Sequence, residues 1–180
     1  MRKPSNIHKM IRTMVLAAMF LAIAYVLPFL TGAIPQIGAM LSPMHIPVLL
    51  CGFVCGWSWG LVVGFMAPLL RSVTLGMPPF FPTAVCMAFE LAVYGGISGW
   101  LHKILPRKKG FVYLALISAM IAGRLIWGAA MYVCMGIRGD GFGFSAFLAG
   151  AVTNAIPGIV IQLVLIPILV MVLEKENYSA

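Results

Sequence analysis

The chain has 180 residues, of which 62% are hydrophobic and only 9% charged, and it carries a formal net charge of +8. A soluble domain carries roughly a quarter charged residues, so this composition excludes a water-soluble globular protein and makes lipid the solvent for most of the surface. The positive charge does not read as nucleic-acid binding. Most of the Lys and Arg sit in "MRKPSNIHKMIR" and "KILPRKK", beside long apolar runs, where basic residues mark the cytoplasmic face of a membrane.

The first apolar run, "TMVLAAMFLAIAYVLPFL", is longer than a signal-peptide core and predicts a retained helix over 10–30. The next extends from Met44 to Gly76 and would be about 50 Å long as one helix, against a hydrocarbon core of ~30 Å. The two basic stretches also need an even number of spans between them if both face the cytoplasm. A turn at "GWSWG" meets both demands. Gly56 and Gly60 bracket it, Trp57 and Trp59 suit the membrane interface, and the run divides into a short helix over 44–56 and a longer one over 60–76. Gly52, Gly60 and Gly64 then lie on helix surfaces, where small residues admit a close neighbour. Further apolar runs predict helices over 82–101, 112–134 and 145–173. The expected fold is all-α: a single domain over 1–180, six transmembrane helices in one bundle, a short second helix, and both termini cytoplasmic. The Gly- and Pro-rich segments "TGAIPQIGAMLSP", "LGMPPFFP" and "MGIRGDGFGFS" become its outer loops.

Three charged residues fall at membrane depth: Arg71, Glu90 and Arg124. Counting the helical rise from the outer ends puts Glu90 about 12 Å down, Arg124 about 15 Å, Asn154 about 14 Å and Arg71 about 8 Å. Intramembrane charges face the protein interior or a wet cavity. A structural ion pair accounts for any one of them, but convergence from four helices points to a binding site. Two cations and one anion leave a positive charge without a partner, and a carboxylate ligand would satisfy it. Tyr94 lies one turn from Glu90, and Trp127 and Tyr132 lie outward of Arg124. Packing alone also explains these aromatics. His45, in "PMHIP", either meets ligand or caps a helix. Asp140, in "GDGFGF", marks either a closing loop or an ordinary turn.

Cys51, Cys55, Cys86 and Cys134 lie within apolar runs and read as packing residues, with no metal site and no disulfide framework. No phosphate-binding Gly-rich loop, HExxH motif or nucleophile elbow occurs. The expectation is therefore a non-enzyme without a cofactor.

The stretch "SPMHIPVLLCGFVCGWSWGLVVGFMAPLLRSVTLGMPP", followed by "AFELAVYGGISGWL", resembles the substrate-binding S components of energy-coupling-factor (ECF) vitamin transporters, and the likeness extends over nearly the whole chain. The resemblance implies six helices and a vitamin or precursor bound near the outer face by outer loops and helices four to six. It implies partners too: a membrane coupling subunit joined to two ATPases, in the bacterial cytoplasmic membrane. Small residues spaced as Ala-x-x-x-Ala on helix one touch the coupling subunit in that family, and Ala18 and Ala22 match that spacing here. Pantothenate is the ligand that the spare positive charge favours. The competing expectations are a stand-alone ion-coupled carrier, with Glu90 as its titrating acid, and a membrane assembly subunit that transports nothing.

Overall fold

The computed structural model describes residues 6–31, 42–106, 108–141, 143–151 and 155–175, and these are helical nearly throughout. Helix α1 (Asn6–Val26) passes into a 3-10 turn (Leu27–Thr31), where the ring of Pro28 cannot extend the α-helical ladder. Then come α2 (His45–Cys55), α3 (Trp57–Leu75), a short irregular turn over Phe80–Ala84, α4 (Val85–Ile104), α5 (Lys109–Arg138), α6 (Phe144–Ala151) and α7 (Ile156–Lys175). Five of these, α1, α3, α4, α5 and α7, are long and apolar enough to cross a membrane.

Helix α2 is apolar on every side, and ten of its eleven residues are buried. Such a helix belongs at the centre of a bundle, and α1, α3, α4 and α7 enclose it. At about 16 Å it is half the length of a span, and its neighbours rather than lipid solvate it. Helix α4 makes the broadest contacts, first with α3, then with α5 and α2.

The expected break in the 44–76 run is present but tighter than "GWSWG". The reversal takes a single residue, Gly56, at φ 90° and ψ 169°, and Trp57 already opens α3. Gly60 is therefore not a turn residue but a packing residue one turn into α3. Helix directions follow from what the glycines touch. Going up α3, Trp57, Gly60 and Gly64 meet Gly99, Gly95 and Leu91 in descending order, so α3 runs against α4. Going along α2, His45 meets Glu90 and Tyr94 while Gly52 meets Gly95 and Ser98, so α2 runs with α4. The chain therefore reverses at Gly56. The backbone conformation there is open essentially to glycine alone. Gly56→Ala should lower stability by about 1–3 kcal/mol through backbone strain, since a methyl group there meets no neighbour; thermal melting in detergent checks it.

Two expected boundaries change. The fifth helix runs on through Arg138, so "MGIR" is helix and only the segment from Gly139 remains as a connection. The single helix expected over 145–173 is instead two, α6 and α7, with 152–154 outside the described residues. Pro157 at the second position of α7 suits a helix start, because its missing N–H would have had no partner there. The outer loop over 31–43 lies mostly outside the described residues.

Candidate functional site

Glu90 sits in the second turn of α4 and is 1% exposed. Arg124 of α5 reaches it, with Nη1 3.0 Å from Oε1. His45, the first residue of α2, brings Nε2 to 3.5 Å from the same oxygen. Tyr94, one turn along α4, is fully buried and packs edge-on against His45 with ring centroids 5.1 Å apart. Three helices thus converge on one carboxylate. Local sequence permits the approach: the Tyr94 ring lies against Gly123, where any Cβ would collide with it, and the next residue is Arg124. The charge pair removes the cost of an isolated ion at membrane depth.

Not every polar group is satisfied. Tyr94 Oη, Arg124 Nε and both ring nitrogens of His45 are buried without a hydrogen-bond partner among the described residues. Buried polar groups in native proteins are usually paired, and these four atoms are exceptions. Beside them lies a cavity of about 290 Å³ between α4, α5, α6 and α7, near the lower end of the range for small-molecule pockets. Its wall is almost wholly carbon, from Met120, Phe147, Ile159 and Leu163 among others, with Tyr94 and Arg124 at the polar edge. Helix α6 caps it. Phe147 inserts against Gly128, and Trp127 stacks on Phe147 at 6.4 Å and reaches Gly150.

Of the residues singled out from sequence, His45, Glu90, Tyr94 and Arg124 come together. His45 faces the carboxylate rather than serving merely as a helix cap. Trp127 supports the cap of the cavity. Tyr132 is 68% exposed and points away, and Asp140 makes an exposed ion pair with Arg138 at 3.3 Å. Arg71 does not join the cluster. Its Nη1 donates to the Tyr25 carbonyl at 2.6 Å, and its guanidinium lies 4.7 Å from the Phe29 ring centroid. Arg71 thereby fastens α3 to the end of α1, and Glu90 pairs with Arg124 instead. The charge argument for an anionic ligand changes with it, because the cation without a carboxylate is Arg71, held against α1, while the Glu90–Arg124 pair is balanced. Asn154 lies outside the described residues.

Gln162 escaped the sequence reading. It is 1% exposed on α7, and neither amide atom has a hydrogen-bond partner among the described residues. The signal was present, since Gln162 is the one polar side chain between Ile156 and Leu173. Phe147 was missed as well, because an aromatic in an apolar run carries no mark of being a cap. Ala18 and Ala22 are exposed on α1, whereas Ala17 and Ala24 face the core. Cys51, Cys55, Cys86 and Cys134 are buried free thiols.

A family model described as "ECF transporter, substrate-specific component" matches residues 12–170. No curated protein and no solved structure matches the chain.

Proposed function

The chain belongs to the substrate-specific components of ECF transporters, and on that premise we propose that it captures a vitamin or related small precursor in the cavity beside Arg124 and Tyr94. Such components are transport subunits rather than enzymes, and their partners are the coupling and ATPase subunits of an ECF module. The observation that carries the reading is the cavity of about 290 Å³ set against buried polar groups that have no hydrogen-bond partner among the described residues. Tyr94 and Arg124 form its polar edge, His45 and Glu90 stand behind them, and Trp127 braces its cap. Asn154 is assigned to the same site on its position in sequence, and Arg71 to holding α1 in place.

Six crossings, α1 to α5 and α7, with cytoplasmic termini in a bacterial cytoplasmic membrane, turn the basic 102–109 loop inward. His45 and Glu90 lie at the other end of α2 and α4, so this orientation opens the site outward. The exposed edge of α1 at Ala18 and Ala22 is the contact for the coupling subunit, where small side chains let a partner helix come close. The stand-alone carrier reading needs an acid exposed in turn to both faces, whereas Glu90 is buried and paired with Arg124.

Two measurements test the proposal. The purified protein alone binds a vitamin-class ligand, whereas uptake into liposomes requires the coupling and ATPase subunits with ATP. Ala18→Phe should leave ligand affinity unchanged and lower uptake at least tenfold, by blocking docking. Uptake by the isolated chain without ATP would overturn the proposal, as would loss of binding in Ala18→Phe.

A further inference from the structure

We infer that the cavity selects an uncharged, compact and largely apolar ligand carrying hydrogen-bond acceptors, and that the Glu90–Arg124 pair acts as an internal counter-charge excluding ions of either sign; this rests on the binding-site reading above. Arg124 is the cation at the cavity edge, and its charge is already taken up by Glu90 at 3.0 Å. An incoming carboxylate would either compete with Glu90 for that guanidinium or bring a second negative charge into a carbon-walled space. A cationic ligand would meet Arg124 first. Either ion loses its hydration without gaining a free counter-charge, which is costly in an apolar site.

The groups left over are suited to a neutral molecule. Tyr94 Oη and Arg124 Nε are buried donors with no hydrogen-bond acceptor among the described residues. A carbonyl oxygen or a ring nitrogen meets such donors and lets the rest of the ligand stay apolar. A small pocket with few polar groups gains most of its affinity from buried carbon, and the polar groups set orientation.

The test uses matched neutral and acidic probes on the detergent-solubilised full chain: nicotinamide with nicotinate, panthenol with pantothenate, and biotinamide with biotin. Each is titrated against the melting temperature. The neutral member of at least one pair should reach its half-maximal shift at a concentration at least tenfold lower than its acid. Glu90→Gln leaves Arg124 unbalanced, and the preference within that pair should turn towards the acid. The double variant Glu90→Gln/Arg124→Gln restores neutrality, and with it the preference for the uncharged probe. An acid that outcompetes its neutral partner on the native protein overturns this inference alone and leaves the binding site standing, as does an unchanged preference in a folded Glu90→Gln. No shift from any probe overturns the binding-site reading and this inference together.

Discussion

Replacing Arg124 by Met should destabilise the protein by about 3–5 kcal/mol, the range for removing one partner of a buried ion pair. Glu90 would then be left at 1% exposure, beside His45 and Tyr94 and without its cation. Its charge would lack a counter-charge in an apolar bundle, which is unfavourable relative to the native pair. The distinguishing measurement is a double-mutant cycle. Glu90→Gln/Arg124→Met removes both charges and should recover most of the lost stability, because the penalty of a single change lies mainly in the partner it strands. Chemical or thermal unfolding in detergent reads both values. If the double variant is as unstable as the sum of the single ones, the two side chains are not an energetic unit.

The second large effect is expected at the seam between α3 and α4. A Cβ on Gly95 would overlap the backbone of Gly60. Backbone atoms cannot rotate aside as a side chain can, so the helices themselves must separate. Gly95→Ala should therefore cost on the order of 3 kcal/mol, the upper part of the range for an overpacked core, and Gly95→Val more. The neighbouring Gly96 is an internal control. Its Cβ would meet only Leu61 side-chain atoms, at 3.7 Å and 3.8 Å. Gly96→Ala should be neutral, or stabilising by about 0.5–1 kcal/mol through helix propensity. Expression level and melting temperature of the two alanine variants give the comparison. Equal behaviour would refute the close-packed seam.

The same seam explains why the transport reading depends on the hairpin at Gly56. Helices α2 and α3 present Gly52 and Gly60 to Gly95, and Gly64 to Leu91, only because the chain reverses between them. That reversal puts His45, at the far end of α2, level with Glu90 of α4. A straight helix through Gly56 would carry His45 and the end of α3 far apart and leave the carboxylate with Arg124 alone.

Amino-acid order by itself determined the lipid solvent, the helical runs and the reversal near residue 56. It also marked Glu90 and Arg124 as residues of consequence. These are legible because hydrophobic length and the rarity of charge at membrane depth are local properties, and glycine's access to positive φ is a property of one residue. Tertiary structure alone decided which charges meet. Arg71 and Arg124 look alike in sequence, yet Arg71 turns to the Tyr25 carbonyl and the Phe29 ring while Arg124 takes Glu90. Pairing depends on the rotation and tilt of each helix about its neighbours, and side-chain packing across the seam sets those angles rather than the composition of any one helix. For the same reason the cavity wall and its Phe147 cap could not be read in advance: they belong to four helices at once, and no segment carries them alone.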